Sequence, residues 1–175
     1  MDFVAVLERL SGFFEDRKLP YAVIGGVGLA GYGMVRATVD LDFVVDATSQ
    51  EEVIEFLESL GYETLHQSSG YSNHQHPRPE LGGVDLVYVR GETSRRVFDA
   101  VRRVEGPGRR LVPVPSPEHL IVMKVVAMKN DPSRTYQDLA DIRFLLSVPD
   151  IDRNEVRRQF EKHGLLERYL ELETS

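Results

Sequence analysis

Two carboxylates one residue apart, in Asp40-Leu41-Asp42-Phe43, are the most chemically loaded feature of the chain. Residues 39 to 45 alternate charged and apolar types in strand fashion, and on a strand positions i and i+2 share a face. Both carboxylates therefore project together, with Leu41 and Phe43 packing behind them. Two like charges this close repel and push one pKa upward unless cations intervene, so the pattern is costly beside Phe43-Val44-Val45 without metal. A third acid, Asp85, is set in an apolar run, Val84-Asp85-Leu86-Val87. Three carboxylates on adjacent strands make an oxygen-rich site suited to magnesium, which keeps waters and substrate phosphates as its other ligands. Two such ions can clamp the attacking and leaving oxygens of an in-line phosphoryl displacement.

Upstream, Ile24-Gly25-Gly26 runs from a strand end directly into a helix start, with thirteen residues between Gly26 and Asp40. Glycines there let backbone N–H groups approach a ligand closely, and a helix start offers unpaired donors to phosphate.

The elements that must position these residues follow from periodicity and punctuation. Val4, Leu7, Leu10, Phe13 and Phe14 predict a helix over residues 2 to 17. Strands are expected at 21–25, 39–45, 62–67, 72–77, 83–89 and 111–114, and a glycine-opened helix at 26–33. A helix after Ser49, taken as its N-cap, buries Ile54, Leu57 and Leu60 and stops at Gly61. Further helices are expected at 93–103, 117–129, 134–146, 152–163 and 165–172, the second of them capped by Ser116-Pro117. The order is a mixed α/β core over residues 1–115 and a helical region over 116–175 packed on it as a single compact unit.

Taken jointly, these motifs resemble the nucleotidyltransferase superfamily that includes DNA polymerase β. There an apolar residue, Gly, and Gly or Ser precede a short helix, then Asp-apolar-Asp/Glu-apolar, with a third acid on a neighbouring strand. Residues of about 20 to 90 carry the likeness. Within the superfamily the chain is most similar to the short prokaryotic branch typified by AbiEii-like toxins and small antibiotic nucleotidyltransferases. That similarity lies in Arg36-Ala37-Thr38-Val39-Asp40-Leu41-Asp42 and in Lys124…Lys129…Asp138-Leu139-Ala140-Asp141-Ile142. Gly25-Gly26 in place of Gly-Ser removes a hydroxyl that often touches phosphate.

The resemblance implies an α/β (α+β) fold, a mixed sheet flanked by helices, with the helical C-terminal region forming one wall of a cleft. It implies transfer of a nucleoside monophosphate from an NTP, such as ATP, to a hydroxyl, with release of pyrophosphate. Asp40 and Asp42 would bind two Mg2+ ions, for which Mn2+ can substitute. Asp85 would hold the catalytic ion and help activate the acceptor, and Gly25 and Gly26 would receive the triphosphate. The acceptor could be RNA such as a tRNA end, as for a toxin with an antitoxin partner. It could equally be a small hydroxyl compound, as in aminoglycoside or lincosamide resistance, or a protein side chain. A different class of reading is a non-catalytic module that binds a nucleotide or a partner; retention of all three acids opposes it.

Lys124 interrupts a helix apolar almost all round, so its charge needs an anion nearby. The NTP triphosphate or Asp138 and Asp141 would serve, and Arg36 could likewise reach phosphate or only cover a helix end. Arg134, one turn before Asp138, suggests an ion pair along the helix. His66, His74 and His76 fall in loop-like surroundings without a fourth ligand at fitting spacing, and no zinc site is expected.

Composition narrows the classes. At 42% hydrophobic and 28% charged the chain is globular, and no apolar run could span a bilayer. Met1-Asp2-Phe3 lacks the start of a signal peptide, so a cytoplasmic, membrane-free protein is expected. With no cysteine, any metal must sit on carboxylates, imidazoles and phosphates. The net charge of −7 opposes non-specific nucleic-acid binding. Arg90, Arg95, Arg96, Arg102, Arg103, Arg109 and Arg110 nevertheless make a local basic patch, either a solvated helix and hairpin surface or a dock for RNA.

Overall fold

A computed structural model describes residues 1–174 and divides into two compact units, Met1–Pro115 and Ser116 onward. The first unit opens with helix α1 (Phe3–Arg17), whose Asp2 cap accepts from the Ala5 N–H at 3.1 Å. Its apolar stripe, Val6, Leu7, Leu10 and Phe14, is buried. Lys18 ends it in the left-handed conformation and turns the chain into β1 (Tyr21–Val23). Helix α2 (Gly25–Ala30) follows, then β2 (Asp40–Asp46), α3 (Gln50–Ser59), β3 (Glu63–Gln67), β4 (Tyr71–Gln75) and β5 (Gly83–Val89). Helix α4 (Gly91–Asp99) leads to the two-stranded β6 (Arg102–Glu105) and β7 (Leu111–Val114), the latter lying against β1.

The five-stranded sheet has the order β1-β2-β5-β4-β3, with β2 and β5 parallel at its centre and the other pairs antiparallel. Its alternation sorts the side chains. Leu41, Phe43, Val84 and Leu86 fall on one face and are fully buried. There Phe14 of α1 stacks on Tyr21 at 4.6 Å and packs on Phe43 at 5.7 Å, while Phe13 stacks on Phe56 of α3 at 4.0 Å. The other face carries Asp40, Asp42 and Asp85. The mixed sheet with flanking helices matches the α/β (α+β) expectation.

The second unit is helical: α5 (Pro117–Asn130), α6 (Thr135–Leu145), α7 (Arg153–Lys162) and α8 (Leu166–Thr174). Ser116 caps α5 and Asp152 caps α7, accepting from the His119 and Glu155 N–H groups. Ile121, Val125, Ile142, Leu145, Val156 and Phe160 are fully buried. Among the described residues no helix is long and apolar enough to cross a membrane.

Several local expectations shift. Residues 102 and 103, expected to end a helix over 93–103, instead open β6, because the pairing of Arg102 to Glu105 with residues 111–114 overrides helical propensity. Ser49 makes no capping bond to α3; Asp46 instead accepts from the Thr48 N–H at 2.9 Å and caps a short 3-10 turn ahead of the helix. β1 ends at Val23 and α2 spans only residues 25–30 rather than 26–33. His66 and His74 lie in β3 and β4, within the strands expected over 62–67 and 72–77.

Candidate active site

Parallel pairing of β2 with β5 sets Asp42 directly beside Asp85 and Asp40 beside Gly83. Lateral neighbours in a ladder point to the same side, so the three carboxylates share the face opposite the aromatic core. Each is half-buried, Asp42 and Asp85 between apolar neighbours that are fully buried and Asp40 between exposed Val39 and buried Leu41. Burial pushes the Asp40 carboxyl above the usual carboxylate range, and the nearby Asp85 charge pushes it further, partly offset by a hydrogen bond from the Gly83 N–H. Asp40 and Asp85 thus repel one another, a repulsion that a cation between them would relieve.

Glycine makes the close packing possible. Gly25 has φ +59°, and a Cβ built on it would lie 2.5 Å from Asp42 Cγ and 2.8 Å from Asp42 Cβ. The Asp42 carboxyl therefore rests against the bare Gly25 backbone, fixed there by the Ile24 N–H bond to the Asp42 carbonyl at 2.9 Å. Gly26 stands against Thr38 in the same way, at 2.7 Å from a built Cβ to the threonine Cβ. Thr38 in turn donates to the Asp40 carbonyl at 3.2 Å. The spacing Gly25-Gly26…Asp40-x-Asp42 is thus one packed unit.

Arg36 lies in the segment joining α2 to β2, where its Nη1 donates to the Ala37 carbonyl at 3.4 Å. With Gly26, Val27, Val35 and Thr38 it lines a pocket of about 290 Å³ beside the glycine pair. Lys124 belongs to the helical unit. It is buried there, with Nζ 3.1 Å from Asp138 and 2.5 Å from Asp141, both carboxylates fully buried, and Arg134 lies 3.6 Å from the other Asp138 oxygen. Asp138 and Asp141 are thus the anions that burial of Lys124 requires.

Two residues on this face were missed from sequence. Asn73 of β4 lies opposite Asp85 and donates to its Oδ1 at 2.5 Å. Tyr71, two residues earlier and on the same face, is close enough that burial together with the Asp85 charge pushes its phenol well up. The available signal was period-two spacing within the strand expected over 72–77; its pairing register was not readable. Gly83, whose N–H serves Asp40, was likewise unremarked.

Among the described residues, no three His, Asp or Glu side chains are already gathered closely enough to close around an ion. The donor set nevertheless fits a hard divalent cation, being all oxygen and made of three carboxylates. The seven arginines do not act as one free patch. Arg103 and Arg110 pair with Glu15, and Arg90 donates to the Ser69 carbonyl, whereas Arg95, Arg96, Arg102 and Arg109 are exposed.

A parallel β2/β5 pair bearing three acids, with Gly25 packed on the second of them, belongs here to a nucleotidyltransferase. The chain belongs to the family described as uncharacterised nucleotidyltransferase, whose sequence model matches residues 2–172. Searching the curated proteins returns no match. Among solved structures it is similar to the antibiotic-resistance factor ANT(2'')-Ia, with TM-score 0.70 and 16% identity over 99% of this chain and 97% of that one. It is similar also to the lincosamide antibiotic adenylyltransferase LnuA in its lincomycin-bound form, with TM-score 0.58 and 21% identity over 82% and 96%. A third such structure is a nucleotidyltransferase of Thermotoga maritima, with TM-score 0.56 and 16% identity over 79% and 92%. At these identities the likeness is one of fold.

Proposed function

We propose that the protein moves a nucleoside monophosphate from an NTP to a hydroxyl of a small polar acceptor, with two divalent cations held by Asp40, Asp42 and Asp85. The observation that carries this reading is the convergence of those carboxylates on one sheet face, with Asp42 seated on Gly25.

Asp40, Asp42 and Asp85 would hold the ions between them. When bound, magnesium, or manganese in its place, neutralises the triphosphate and acidifies the acceptor hydroxyl. The Gly25 and Gly26 backbone, open for lack of Cβ atoms, receives the triphosphate, with Arg36 at the edge of the same cradle. Asp85 orients the acceptor oxygen toward the α-phosphorus and draws its proton. The acceptor oxygen forms the new P–O bond, the bond from the α-phosphorus to the bridging oxygen breaks, and pyrophosphate leaves. Lys124 stays with Asp138 and Asp141 and joins α5 to α6.

A small acceptor is favoured by charge. At −7 the chain suits a neutral or cationic compound better than a polyanion. ANT(2'')-Ia and LnuA, whose structures include complexes with an adenylylated tobramycin and with lincomycin, share the fold over nearly their whole length. The exposed Arg95, Arg96, Arg102 and Arg109 support a second reading, an RNA acceptor with a toxin-like role and an antitoxin partner.

The test is incubation of α-phosphate-labelled NTPs with a panel of aminoglycosides, lincosamides and other polyols, and separately with total RNA, with and without Mg2+. Magnesium-dependent label on a small compound, absent in Asp42→Asn, supports the proposal. Label on RNA alone installs the second reading, and no transfer to any acceptor leaves a nucleotide-binding module.

A further inference from the structure

The Asp85 carboxyl is held by a side chain of the neighbouring strand β4. Asn73 Nδ2 donates to its Oδ1, and Tyr71, two residues earlier on β4, has its hydroxyl on the same side, near enough to feel the Asp85 charge. Antiparallel pairing of β4 with β5, with Asn73 opposite Asp85 and Tyr71 opposite Val87, brings all three groups to the one face.

The grip is backed from the other side of the sheet. Ser72 and His74, flanking Asn73, are fully buried. The Ser72 hydroxyl lies 2.8 Å from His74 Nε2 and 2.6 Å from the Tyr88 hydroxyl of β5, and His74 Nδ1 lies 3.1 Å from Thr64 Oγ1 of β3. β4 is thereby pinned to both neighbouring strands beneath the residue that holds Asp85. A free carboxylate rotates broadly about its last torsion, so an acid that must present one oxygen to an ion and to an incoming hydroxyl gains from donors that fix its plane.

We propose that Asn73 and Tyr71 are positioning residues that set the plane of the Asp85 carboxyl, acting on the cation and hydroxyl that Asp85 serves and not on the triphosphate. This rests on the metal-dependent reading above, and the two can fail separately.

The experiment measures Mn2+ binding by calorimetry and electron paramagnetic resonance to the full chain with a non-hydrolysable ATP analogue, comparing native protein with Asn73→Leu and Tyr71→Phe. Analogue affinity is followed alone and thermal melting recorded alongside. Loss of a positioning partner in a metal site typically costs about 10- to 100-fold in affinity. In Asn73→Leu, one of two Mn2+ sites should weaken by that factor while the other site and analogue affinity stay native. Tyr71→Phe, which keeps the ring, should weaken the same site by a smaller factor and keeps the test open should Asn73→Leu fail to fold. Native affinity at both sites in folded Tyr71→Phe and Asn73→Leu overturns the positioning role and leaves the metal reading standing. Equal weakening of both sites and of the analogue also overturns it, since that marks a general loss of structure. Native protein that takes up no Mn2+ with the analogue overturns the metal reading, and the positioning role with it.

Discussion

Substituting Gly25 by alanine puts a methyl group where the Asp42 carboxyl now rests. The new carbon would lie 2.5 Å from Asp42 Cγ, whereas carbon atoms pack at about 3.5–4.0 Å, so the carboxyl must retreat by roughly 1 Å. A displacement of that size at a reacting centre costs on the order of 100-fold in rate. The backbone adds its own term, because Gly25 sits at φ +59° and a left-handed L-residue costs about 1–2 kcal/mol. Gly25→Ala is therefore expected to lower kcat/KM on whichever acceptor the labelling test finds by at least about 100-fold, and to weaken Mn2+ binding with the ATP analogue, while melting falls by several degrees. Gly12→Ala is the matched control. Gly12 lies inside α1 with nothing within 4 Å of a built Cβ, and the exchange should stabilise by about 0.5–1 kcal/mol with activity unchanged. Native activity and native Mn2+ affinity in Gly25→Ala would refute the claim that Asp42 works from its seat on that glycine.

Lys124→Met leaves Asp138 and Asp141 buried without their shared cation, which should cost about 3–5 kcal/mol in chemical denaturation. Unchanged stability with lost transfer would instead assign Lys124 to the triphosphate. Burial holds the His74 pKa below its usual value. The folded state then binds fewer protons than the unfolded one as pH falls below about 6.5, so this contribution to stability is complete above that pH and is lost as pH drops toward the folded pKa. His74→Gln should flatten the dependence of denaturation midpoint on pH across that window; an unaltered slope excludes His74 as its source. Adding Mg2+ with the ATP analogue should raise the melting temperature of the native protein and not of Asp40→Asn/Asp42→Asn, since a ligand stabilises only the state that binds it.

The two acids of β2 and the glycine pair were legible because each imposes a local rule: period two on a strand puts Asp40 and Asp42 on one side, and only glycine admits Asp42 so near the backbone. The order of elements was legible for the same reason, with α1, α3 and α5 carrying apolar stripes and recognisable ends. Asn73 and Tyr71 were not, since what joins them to Asp85 is the register of β4 on β5, a non-local choice that no local pattern encodes. Arg102 and Arg103 were read as helix because arginine is a good helix former, and only pairing with the partner strand overrides that. The burial of Lys124 was foreseen from its apolar helix, but which anion it meets depended on how α6 packs on α5.

The most direct test is anomalous X-ray scattering from crystals grown with Mn2+ and a non-hydrolysable NTP. Two manganese peaks are predicted, bridged by the carboxyl oxygens of Asp40 and Asp42, one of them also bound by Asp85 and both touching the triphosphate. A nucleotide bound with no manganese at these three side chains would contradict the account.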